Sequence, residues 1–147
     1  MDQLPEYISS LKLLQEQYSK QIDIQIGLET EYFPSFADYY NELAANKDIQ
    51  WLVLGQHMYA HSPGVYSFND TPEVRDQVEY IGLCEAMIEG MNTGLFRVVV
   101  HPDRAFRRMK SWNDDPRVAE LARNLIDTAI NTGTILEQNE TSKRYDH

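Results

Sequence analysis

The 147-residue chain has one cysteine, Cys84, so no internal disulfide can form. A lone thiol fits a reducing, cytoplasmic setting. Basic residues are scarce: 13 Lys and Arg stand against 23 Asp and Glu, a formal charge of −10. There is also no Lys/Arg cluster, so neither nucleic acid nor an anionic membrane is expected as the main partner, since both bind concentrated positive charge. A small phosphate-bearing molecule remains compatible, because a local cation overrides the net field. No run approaches the roughly 18 consecutive apolar residues of a membrane span. Met1 to Pro5 show no basic segment leading into an apolar one, so no signal peptide is expected. A P-loop, a Gly-rich dinucleotide fingerprint and a nucleophile elbow are all missing. What is present is a globular composition, 42% apolar and 24% charged, of a length that suits one domain, 1–147. The polar tail 141–147 is expected to fray.

The hydrophobic period alternates between helix and strand. Leu4, Tyr7, Ile8, Leu11, Leu14 and Tyr18 recur at steps of three and four, which predicts one apolar helical face. Ile22-Asp23-Ile24-Gln25-Ile26 alternates strictly and reads as a strand stopped by Gly27. Phe36 to Ala45 is a short helical candidate. Trp51-Leu52-Val53-Leu54 has the form of a strand covered on both faces. His57 to Asn69 carries Ser62-Pro63-Gly64 and reads as a loop. Thr71-Pro72 caps a helix running to about Met91 and ended by Asn92-Thr93-Gly94. Phe96 to Val100 is a strand broken by Pro102. Asp115-Pro116 opens a helix closed by Gly133, and Thr134 to Glu137 is a last short strand. Helix–strand pairs in this order imply an α/β layer structure with about four parallel strands and outer helices. Alternation assigns Ile24, Ile26, Leu52, Leu54, Val98 and Val100 to one inner apolar face.

The chemistry-bearing residues share one address. Glu29, His57 and His101 each follow a predicted strand, and Glu137 and Asn139 lie at or past the last one. The carboxyl ends of parallel strands are where α/β folds carry their sites. Any one of these residues is more often structural. Three successive strand ends offering Glu, His and His suit a divalent metal, with Zn, Mn and Fe all compatible. Other groups have bland alternatives of equal or greater weight. Tyr32, Phe33, Phe36, Tyr39 and Tyr40 line a pocket or, more simply, pack a helix face. Arg104, Arg107, Arg108 and Lys110 meet a phosphate or form a solvated basic turn. His61 reads as a surface histidine, and Cys84, among Ile81, Leu83, Met87 and Ile88, as core filling.

Four segments resemble the polymerase-and-histidinol-phosphatase (PHP) family. They are Ile26-Gly27-Leu28-Glu29-Thr30-Glu31-Tyr32-Phe33-Pro34, Val53-Leu54-Gly55-Gln56-His57, Val98-Val99-Val100-His101-Pro102-Asp103 and Leu136-Glu137-Gln138-Asn139. The helix from Tyr7 to Tyr18 is similar to one in histidinol-phosphatase-like members. The resemblance implies a partial (β/α) barrel of the PHP type and a metal-dependent phosphoesterase acting on histidinol phosphate. By the same token Glu29, His57 and His101 would be metal ligands, Asp103 and Asn139 pocket or outer residues, and Arg144 a group near the phosphate, with Arg104 kept as a candidate from its place beside His101. Two departures stand out. The family's opening His-x-His strand has no counterpart here, and its closing Asp-x-His is matched only by adjacent Asp146 and His147. The chain therefore reads as a central fragment with at most one metal site, impaired as a catalyst. The competing reading is a non-catalytic remnant that binds metal or associates. Two open sheet edges and an uncovered apolar face would make it a homo-oligomer.

Overall fold

A computed structural model of the chain describes residues 3–61, 64–67, 76–106 and 116–139. In chain order the elements are α1 (Leu4–Tyr18), β1 (Gly27–Thr30), a 3-10 turn (Pro34–Phe36), α2 (Ala37–Ala45), β2 (Trp51–Leu54), β3 (Met58–His61) and β4 (Gly64–Ser67). There follow α3 (Asp76–Asn92), β5 (Val98–Val99), a 3-10 turn (Pro102–Phe106), α4 (Pro116–Thr132) and β6 (Ile135–Leu136). Four strands form one sheet in the order β1-β2-β5-β6, every pair parallel. This is the α/β architecture expected from the alternating periods.

Helix ends follow local chemistry. Pro5 lies in the first turn of α1, where a missing N–H leaves no bond unmade. Gly94 and Gly133 follow α3 and α4 at φ +72° and +71°, a left-handed conformation that costs glycine little. The Gly94 amide donates to the Met91 carbonyl and the Thr134 amide to the Ala129 carbonyl, satisfying carbonyls that a helix end leaves open. The predicted caps Thr71 and Asp115, and the tail 141–147, lie outside the described residues.

Three expectations need correction. Residues 22–26 form no ladder; the strand begins at Gly27, where a stop was expected. Its neighbour β2 starts only at Trp51, so pairing starts with Gly27 against Trp51. Ile22 stays exposed and only Ile26 of the alternating set is buried. The stretch from His57 to Asn69 contains an antiparallel hairpin, β3 with β4, rather than a plain loop. Finally, Leu54 pairs with Val99, and Val53 with Val98. Val99 thus joins Leu52 and Leu54 on the buried face, while Val98 sits with Val53 on the other, which is only partly covered. Within an unbroken apolar run the pattern carries no parity, and register alone decides it.

The core lies on that first face. Leu52, Leu54 and Val99 meet Tyr32, Tyr40 and Phe96, together with Leu83, Cys84, Met87 and Met91 of α3. Tyr32 and Phe96 stand edge to face with ring centroids 6.1 Å apart, so Tyr32 and Tyr40 are packing residues, while Phe36 is exposed. Helix α3 sits close on the sheet at Gly90, where an added Cβ would fall 2.8 Å from Leu54 Cδ2 and 3.2 Å from Tyr32 Cβ. Burial pushes the Cys84 thiol up to about 12, with Glu85 adding to the effect. A thiol-reactive reagent at pH 8 is therefore expected to leave Cys84 unmodified in folded protein and to react stoichiometrically once the chain is denatured. Rapid labelling of native protein would contradict this packing. No described helix is long and apolar enough to cross a membrane.

Candidate metal centre

Parallel strands bring their carboxyl ends to one edge of the sheet, and three side chains converge there. Glu29 stands in β1, His57 three residues after β2, and His101 two residues after β5. Ligand-capable atoms of the three lie within 4.8 Å of one another. His101 Nε2 is 3.4 Å from Glu29 Oε1, and the two imidazole centroids are 4.8 Å apart. Donors at zinc bond lengths around a tetrahedral ion stand about 3.4 Å apart.

Each side chain is set by its surroundings. Glu29 crosses the position that a side chain on residue 55 would occupy: a Cβ on Gly55 would lie 2.7 Å from its Cδ and 2.8 Å from its Cγ. Gly55 is therefore what gives the carboxylate room. Gln56 is only 2% exposed and fastens the segment after β1 to the one after β2. Its Oε1 accepts from the Tyr32 amide at 2.9 Å, and its Nε2 donates to the Met58 carbonyl at 2.6 Å. A buried amide bonded in this way extends the β1–β2 pairing by one side chain and presents His57 at the edge.

His101 has φ +39°, a left-handed value for a side-chain-bearing residue that also precedes a proline. Such a conformation costs about 1–3 kcal/mol and persists where its surroundings fix it. Here the His101 amide donates to Glu137 Oε2 at 2.6 Å, and its carbonyl accepts from the Arg104 amide at 2.9 Å. Burial, then the His57 ring and the Arg104 guanidinium, hold His101 below the usual histidine range, against an opposing pull from Glu29. The ring is thus kept neutral, and a neutral imidazole has one bare nitrogen lone pair. Its Nε2 faces a carboxylate, and its Nδ1 is buried with no hydrogen-bond partner among the described residues. This donor set, two imidazoles and a carboxylate, fits a divalent cation.

The other candidates are placed nearby or not at all. Asp103 and Arg104 are part-buried in the 3-10 turn after His101, and Asp103 is not one of the three clustered ligands. Asn139 is part-buried beyond β6. Arg144, Arg107, Arg108, Lys110, Asp146 and His147 lie outside the described residues, as does the side chain of His61. Sequence reasoning gave no role to Gly55, Gln56 or Glu31. Glu31 was within reach, since it follows Glu29 by two residues and strand alternation puts both on one side.

A parallel sheet with a His-His-carboxylate cluster at its strand ends defines an α/β protein with a candidate metal site. The comparisons sharpen that definition. No protein-family model matches the chain. A Deinococcus radiodurans protein named "Probable histidinol-phosphatase" is 25% identical over 151 residues, covering 98% of this chain and 55% of its own length. A solved structure of a histidinol phosphatase candidate from Listeria monocytogenes superposes with a TM-score of 0.69 at 19% identity, over 92% of this chain and 58% of that one. The histidinol phosphate phosphatase of Lactococcus lactis, solved with zinc, L-histidinol and phosphate, gives a TM-score of 0.68 at 18% identity, over 97% and 58%. The chain is similar in sequence to the first of these proteins and in fold to the other two, in keeping with the resemblance that its motifs carry. It spans a little over half the length of these relatives.

Proposed function

We propose that the chain carries one divalent-metal site of a histidinol-phosphatase-type phosphoesterase, held by Glu29, His57 and His101. The observation that carries the reading is the convergence of these three at adjacent strand ends. Support comes from the likeness to a phosphatase solved with zinc, L-histidinol and phosphate. A divalent cation at this position supplies Lewis acidity, polarising a phosphoryl oxygen and acidifying water. The chain's own part is to present two imidazoles and a carboxylate beside the Arg104 charge that acts on His101. Arg104, whose charge acts on His101, is a candidate to attract a phosphate monoester and orient its oxygens. Asp103 and Asn139 are further candidates for the pocket, and Arg144 for the phosphate.

The proposal concerns the single metal site that these three residues form. Symmetric clamping of the attacking and leaving oxygens takes two metals, and the described residues gather ligands at one cluster. Purified protein with zinc or manganese is expected to hydrolyse histidinol phosphate at well under the roughly 1–1,000 per second of ordinary enzymes. Release of inorganic phosphate measures it. Metal-dependent turnover inside that range would overturn the one-site reading and point to ligands recruited from elsewhere, His61 first.

A further inference from the structure

We propose that Glu31 is the positioning residue of this centre, selecting which nitrogen of His57 faces the cation; the inference rests on the metal-site reading above. Its carboxylate is pinned at both oxygens. Oε2 accepts the Met58 amide at 2.8 Å and the His57 amide at 3.3 Å. Oε1 lies 3.5 Å from His57 Nδ1. An ionised carboxylate only accepts, so it favours a proton on Nδ1. That tautomer leaves the lone pair on Nε2, the nitrogen turned away from Glu31. Backbone and ring of the same histidine are thus held by one acid from the neighbouring strand end.

His101 is secured differently. Its amide is bonded by Glu137, its Nε2 faces Glu29, and its Nδ1 meets no described partner. Glu31 thus faces the outer nitrogen of His57, Nδ1, at 3.5 Å. Carboxylate–histidine–metal arrangements fix ring orientation and raise ligand basicity, and their loss costs about 10–100-fold in metal affinity. The purely structural alternative is that Glu31 serves only to accept the two amides at the start of the β3–β4 hairpin.

Glu31→Gln separates the two roles. Its amide oxygen can still accept from Met58, so the hairpin entry is preserved, but the negative charge is gone and an N–H₂ can face Nδ1 instead. Zinc affinity is read by competition with a chromophoric chelator, and the His57 tautomer by side-chain ¹⁵N NMR on metal-free, full-length protein. The expected results are an Nδ1-protonated His57 in the unmodified chain, a shift away from it in Glu31→Gln, and zinc binding weakened about 10–100-fold. A predominantly Nε2-protonated His57 in the unmodified chain would overturn the proposal, as would Glu31→Gln affinity within about twofold of the original. If Glu31→Gln fails to fold, the tautomer of the unmodified chain decides alone. Failure of the metal-site reading looks different: His57→Ala would then bind zinc as the unmodified chain does.

Discussion

Replacing His101 with alanine is expected to weaken zinc binding by more than about 100-fold, beyond the 10–100-fold range typical of outer-shell changes. Zinc held by three protein ligands already keeps one open position, and removing one ligand leaves only two protein donors. Chelator competition on the variant, with circular dichroism to show that the fold survives, measures the effect. The fold should survive, because the substitution removes a ring at the sheet edge and leaves the His101 amide bonded to Glu137. Unchanged affinity would put the ion elsewhere. Acidification is expected to release the ion as well, because an imidazolium has no lone pair to give. His101 delays that release, since burial, His57 and Arg104 lower its affinity for the proton. For stability the sign runs the same way. The unfolded chain takes up that proton first, so stability is intact above the ordinary histidine value of about 6.5 and falls as pH drops toward the lowered value of the folded state.

Tyr59→Ala should cost about 3–5 kcal/mol of folding stability, the range for deleting a buried aromatic ring. Tyr59 is fully buried in β3, with the Tyr66 ring of β4 at 6.0 Å between centroids. Helix α3 approaches it so closely that a Cβ on Gly82 would lie 2.9 Å from both its Cβ and its Cγ. That glycine lets the hairpin dock, and the ring fills the contact. Against a typical total of about 5–15 kcal/mol, the loss would shift the urea midpoint plainly. A loss below about 1 kcal/mol would mean that the hairpin lies over the core without being part of it.

The same hairpin shows where the sequence was hard to read. Met58-Tyr59-Ala60-His61 has no alternation of polar and apolar residues, and Ser62-Pro63-Gly64 reads in the sequence as a break. What makes Tyr59 core is a distant glycine in α3, a long-range fact with no local signal. β1 failed for a related reason, because the partner strand, not the Ile22–Ile26 pattern, chose where pairing begins. Features set locally were legible. The bounds of α1, the glycine ends of α3 and α4, and the run Trp51–Leu54 all depend on residues within a few positions. The candidate site was legible in outline, since strand ends in a parallel sheet must share an edge. Its support was not. Gly55 matters only because Glu29 crosses it, and Gln56 only because Tyr32 and Met58 present backbone groups to it.

The central claim is that Glu29, His57 and His101 hold one divalent cation. A crystal structure of the zinc-loaded chain, with anomalous data collected at the zinc edge, tests it most directly. The account predicts one strong peak per chain, with His57 and His101 nitrogens and a Glu29 oxygen about 2.0–2.2 Å away. An anomalous map with no peak between these side chains, or with its peak on other residues, would contradict it.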